Sequence, residues 1–170
     1  MAIVKATYTK KQAGAKASIS YIAHRPGREG EKSNRVLFGS DGVMGRREAY
    51  QMIDLAAKGS FFYRIVIAPD PAQEDSQKDL HLRDITEKTM QTLAESFITP
   101  LLWVAAEHTD HAPHRHIHVV AIVPEKLVVP DFQELRKSAT EACLQQRQER
   151  DLMQEQQQNQ SREEAQAQWE

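Results

Sequence analysis

Five of the seven histidines fall within eleven residues, His108-Thr-Asp-His-Ala-Pro-His-Arg-His-Ile-His118. On an extended chain the side chains alternate, so His116 and His118 point the same way. His108 ends the apolar run before them, and a tight turn through Thr109-Asp-His-Ala-Pro113 brings it opposite that pair. Three imidazoles converging on one point suit a divalent cation. Neutral imidazoles hold the ion without cancelling its charge, which then acts in full on a bound phosphate. Asp110 has two readings: a hydrogen-bond acceptor that fixes the tautomer of a ligand histidine, or a turn former. His111 and His114 leave the ligand set open.

A polarised phosphodiester needs a nucleophile. Water would make a nuclease; a tyrosine would make a transesterase that stays attached to the broken strand. Of Tyr8, Tyr21, Tyr50 and Tyr63, Tyr63 lies in a buried strand and Tyr50 in an amphipathic helix, and both read as structural. Tyr8 ends a strand and can face either way. Tyr21 lies in Ser18-Ile-Ser-Tyr-Ile-Ala-His-Arg25, with Lys10, Lys11, Lys16, Arg25 and Arg28 nearby in sequence. That basic setting favours a DNA strand and phenolate character. The wider charge distribution agrees: residues 1–64 carry a net +7 and residues 65–170 a net −9. A basic first third is a candidate polyanion surface, or simply a solvated face.

The elements that must position these groups follow from periodicity. Residues 2–8 read as a strand, 10–24 as a basic helix stopped by Pro26 and Gly27, and 36–38 with 42–44 as a small hairpin. Residues 46–58 read as an amphipathic helix, 61–68 as a buried strand closed by Pro69, and 80–97 as a second amphipathic helix. The histidine hairpin follows, flanked by Leu101–Ala106 and Val119–Val123. Asp131 is placed to cap a last helix. This order predicts an α+β domain with a mostly antiparallel central sheet and packed helices, spanning residues 1–145. Residues 146–170 form a Gln/Glu-rich tail; ten glutamines between Gln145 and Gln168 give a solvated helix, a coiled-coil arm or a disordered segment. No apolar run approaches the ~20 residues of a membrane span, and no signal-peptide layout opens the chain. One cysteine, Cys143, excludes an internal disulfide and fits a reducing cytoplasm. Its neighbours are helix formers, so it reads as a packed side chain.

The pattern His108-x-Asp110-x5-His116-x-His118 resembles the histidine motif of HUH endonucleases, and in particular of plasmid mobilisation relaxases. The order also resembles theirs: a short strand, a tyrosine-bearing helix matching Tyr21, then the His-x-His strand about a hundred residues later. Related replication initiators and transposases place the tyrosine after the histidines, where this chain has none. The resemblance covers roughly residues 1–145. It implies an HUH-type palm, a Mg²⁺ or Mn²⁺ ion on His108, His116 and His118, and Tyr21 as nucleophile. The implied partners are single-stranded DNA at a transfer origin and accessory mobilisation proteins, with no membrane.

Two other readings use the same residues. His114-Arg-His-Ile-His118 also looks like the signature of histidine-triad nucleotide hydrolases, although Arg115 stands where an apolar residue is usual there. A non-catalytic DNA-binding accessory protein would use the basic first third and keep the tail as a partner-binding arm.

Overall fold

The computed structural model describes residues 1–26, 30, 33–109 and 114–169. Among these residues six strands form one sheet: β1 (Ile3–Thr9), β2 (Leu37–Gly39), β3 (Gly42–Met44), β4 (Phe61–Ala68), β5 (Leu102–His108) and β6 (His116–Val123). Their spatial order is β1-β4-β6-β5-β2-β3, and every pairing is antiparallel. Four helices among the described residues complete the α+β fold: α1 (Gln12–His24), α2 (Arg46–Asp54), α3 (Leu82–Ala94) and α4 (Val129–Gln168).

Alternation along the central strands supplies two apolar faces, so the sheet is covered on both sides. On one face Phe62, Val104, Ala106 and Val120 pack with Ile19 and Ile22 of α1 and Ala49 and Ile53 of α2. The α1 residues recur at the i, i+4, i+7 spacing of a helix stripe: Ala15, Ile19, Ile22. On the other face Ile65, Ile67, Trp103, Ile117, Val119 and Ala121 meet Leu82, Ile85, Met90 and Leu93 of α3 and Leu135, Ala139 and Cys143 of α4. Gly39 is a fixed point of β2, because a Cβ there would stand 2.8 Å from the Trp103 carbonyl oxygen.

Element ends shift from the periodicity by a few residues. The α1 helix begins at Gln12 rather than residue 10, since Thr9 still belongs to β1 and its Oγ1 accepts the Lys11 N–H at 3.2 Å. The α2 helix ends at Asp54, four residues short of the expected stop, and α3 covers Leu82–Ala94 within the expected 80–97. Asp131 stands at the third position of α4, not at its cap, where its carboxylate accepts the Val128 N–H at 2.7 Å.

The α4 helix runs for 40 residues and passes residue 145 without a break. Gln146 and Arg147 are buried. The Gln146 amide both accepts from and donates to the His81 backbone, at 2.7 and 3.1 Å. Arg147 grips both Asp79 oxygens, at 2.6 and 3.2 Å. Every residue from Asp151 to Trp169 is exposed. Among the described residues, no helix is long and apolar enough to cross a membrane. Removing residues after 155 is therefore expected to leave Tm within about 2 °C, whereas removal after 144 deletes the Gln146 and Arg147 anchors and should lower Tm by more than about 4 °C. Thermal melting of the two shortened chains checks this.

Candidate metal and nucleophile site

The register of β5 against β6 sets His108 directly opposite His116 and Ala106 opposite His118. All three imidazoles emerge on the α1 side of the sheet. Their ring centroids lie 4.3 Å (His108–His118), 4.9 Å (His116–His118) and 5.3 Å (His108–His116) apart. Each ring offers one nitrogen to a set lying within 4.8 Å of one another. His108 and His118 are buried and His116 is partly exposed, so the cluster is closed at its base and open at one side.

Second bonds fix the tautomers. A backbone carbonyl only accepts, so His108 Nε2 must carry the hydrogen it shares with the Ile22 carbonyl at 2.9 Å. His116 Nδ1 likewise donates to the His114 carbonyl at 3.2 Å, leaving Nε2 as its lone-pair nitrogen. That nitrogen faces His118 Nε2 at 3.1 Å. Either His118 donates to it, or both lone pairs address one point. Two nitrogens each ~2.1 Å from one ion stand about 3.0 Å apart at an octahedral right angle and about 3.4 Å apart in a tetrahedron. The His116–His118 spacing falls between, as two ligands of one divalent cation require. His118 is held neutral: burial first, then the neighbouring His108, His116, Arg64 and Arg25, push its pKa down to about 3. The donor set is thus ready for a cation at neutral pH.

Tyr21 is the tyrosine beside this cluster. Its ring meets His118 edge-on, with centroids 6.2 Å apart, and it is exposed. The same turn of α1 that carries Tyr21 supplies the Ile22 carbonyl to His108. Tyr8 faces the opposite side of the sheet, its ring 5.3 Å from both Phe61 and Tyr63. Tyr63 is buried and its hydroxyl accepts the Leu127 N–H. Tyr50 lies beneath Arg46 on α2.

The basic residues separate. Arg25 lies over the Tyr21 ring at 5.4 Å. Lys16 turns away to pair with Asp54, Lys10 sits over Phe61, and Lys11 is exposed just before α1. Arg28, Asp110 and His111 lie outside the described residues. His114 is exposed and stands outside the cluster. Cys143 is buried, its thiol pushed up to about 12 chiefly by burial, which leaves it a packing residue.

Three groups at the site were not singled out by the pattern. Arg64 of β4 lies over the Tyr21 ring at 4.5 Å; the available signal was one charge inside the apolar run Phe61–Ala68. The Ile22 carbonyl carries no side-chain signal at all. Arg115, immediately before β6, faces the other way and grips Asp75 with two bonds of 2.8 Å plus the Leu80 carbonyl at 2.8 Å. It pins the start of β6 to the loop between β4 and α3. Beyond the end of α1 lies an open cleft of about 680 Å³, lined among others by His24, Arg35 and Arg46.

No protein-family model matches the chain, and no curated protein matches it.

The depressed His118 pKa has a signed consequence. Between about 3 and 6.5 the unfolded chain binds a proton that the folded chain refuses, so this contribution to stability is complete above 6.5 and is lost as pH falls towards 3. Denaturant midpoints measured across that range should rise with pH, and the rise should be smaller in His118→Asn.

Proposed function

We propose that the chain is a metal-dependent DNA relaxase, nicking one strand at a transfer origin by tyrosine transesterification. The observation that carries this reading is the edge-on placement of Tyr21 against His118 within the three-histidine cluster. The order of elements is the one that the resemblance to mobilisation relaxases implies. His114 lies outside the cluster, which weighs against a histidine-triad nucleotide hydrolase.

His108, His116 and His118 would hold Mg²⁺ or Mn²⁺. When bound, the ion supplies an uncancelled positive charge that polarises a phosphodiester. The chain's own residues do the rest. The Ile22 carbonyl and the His114 carbonyl orient two of the imidazoles. The Tyr21 oxygen forms the new bond to phosphorus and gives up its proton. The phosphorus–O3′ bond breaks, and the 3′ oxygen takes up a proton to leave as a hydroxyl. One phosphodiester replaces another, so the step is nearly isoenergetic and reversible, as later rejoining requires. The cleft beyond α1 has room for neighbouring nucleotides of the same strand, and accessory mobilisation proteins would present the origin.

Incubation with a labelled pool of random single-stranded oligonucleotides and Mn²⁺, followed by a denaturing gel, tests this. A protein-linked band is expected; Tyr21→Phe should reduce it by roughly 10³-fold or more while sparing binding. His116→Ala or His118→Ala should remove the band together with Mn²⁺ binding. A covalent adduct that survives Tyr21→Phe would defeat the assignment.

A further inference from the structure

Among the described residues, arginines are half-buried or buried on both sides of the sheet, and Arg83 of α3 lies over the Phe38 ring at 4.7 Å. On the α3/α4 side, Arg115 has Asp75 and Arg147 has Asp79 and Asp151. On the α1 side, Arg64 and Arg25 are both partly buried, and neither has a carboxylate partner among the described residues. Arg64 stands mid-strand in β4, between Thr7 of β1 and Val120 of β6. Its neighbours on that face are mixed: Phe62 and Val120 pack in the core beneath α1 and α2, while Thr7 is exposed. A guanidinium in such a position loses hydration, and stacking on one tyrosine ring returns only a modest part of it. An apolar side chain would pack there at lower cost. Yet both cations are drawn to the same ring, at 4.5 and 5.4 Å, and that ring meets His118 edge-on.

We propose that Arg64 and Arg25 form a guanidinium clamp for a phosphodiester of single-stranded DNA, set over Tyr21 beside the histidine cluster. The planar fork of each guanidinium matches two phosphate oxygens. An anion held there stands beside both the phenol and the imidazoles, and it supplies the negative partner that Arg64 and Arg25 lack among the described residues. The clamp rests on the relaxase reading for its purpose, but it binds DNA whether or not the strand is cut.

The test is fluorescence anisotropy with a labelled oligothymidylate in EDTA, across a range of salt, on the full chain. Arg64→Ala should weaken binding by about 10-fold and lower the magnitude of the log K against log salt slope by about 0.7. Arg64→Lys should keep the slope while still weakening binding, since ammonium lacks the fork. Arg64→Met provides the readout that a packing role would move the other way: Tm should hold or rise as binding falls, because an unpaired charge is removed. Wild-type affinity and slope in Arg64→Ala would overturn the clamp, as would a core-sized drop in Tm in Arg64→Met. No metal or cleavage enters this assay. A protein that fails to nick any oligonucleotide yet shows these shifts would sink the transesterase and keep the clamp; the reverse pattern would do the opposite.

Discussion

One hairpin register decides whether there is a site at all. Side chains alternate along β5 and β6, so a slip of one residue in either strand would send its histidines to the α3/α4 face, into an apolar core. The register is held from three sides. β4 pairs with β6 from Ile67↔Ile117 to Phe61↔Val123, and β5 pairs with it on the other flank. Alternate residues of β6, Ile117, Val119, Ala121 and Val123, are fully buried on one side. Arg115 fixes the strand's start, because its bidentate grip on Asp75 is possible only with the side chain on the α3/α4 face. That arginine does not touch the imidazoles; it determines which way its neighbour His116 points.

The second constraint is electrostatic. A closed group of imidazoles in a half-dry pocket cannot all hold protons, because burial and mutual repulsion both favour the neutral ring. The same surroundings include two guanidiniums and no carboxylate partner for them among the described residues. The site therefore combines lone pairs that seek a cation with fixed positive charge that seeks an anion. On the reading proposed above, a metal–phosphate pair would satisfy both at once. The bond from His108 to the Ile22 carbonyl ties this chemistry to the fold, since the helix end that presents Tyr21 is also what orients the deepest histidine.

Much of this was legible in the chain. The period of two placed His116 and His118 on one face, and the strand–turn–strand pattern brought His108 to them; the observed pairing His108↔His116 is what that pattern requires. The helix that carries Tyr21 was legible too; the way it turns that side chain was not. What escaped was tertiary. Tyr8 could not be assigned a face until its contacts with Phe61 and Tyr63 fixed it. Lys16 is close to Tyr21 in sequence but reaches Asp54 on α2, while Arg64, forty-three positions away, arrives from the sheet. Sequence distance ranks charges poorly when a strand runs under a helix. Backbone groups such as the Ile22 carbonyl leave no mark in residue type at all.

The length of α4 also governs how the molecule would look in solution. Of the 75 residues in the four helices, 40 belong to α4, and its last turns touch nothing in the domain. Far-ultraviolet ellipticity would thus be dominated by a rod about 60 Å long, whose outer half can unwind without disturbing a single strand. Trp103, buried between β5's neighbours and edge-on to Phe38, reports the sheet instead. The two spectroscopic regions then describe different parts of one chain, and their melting curves need not coincide even when the domain itself unfolds in a single step.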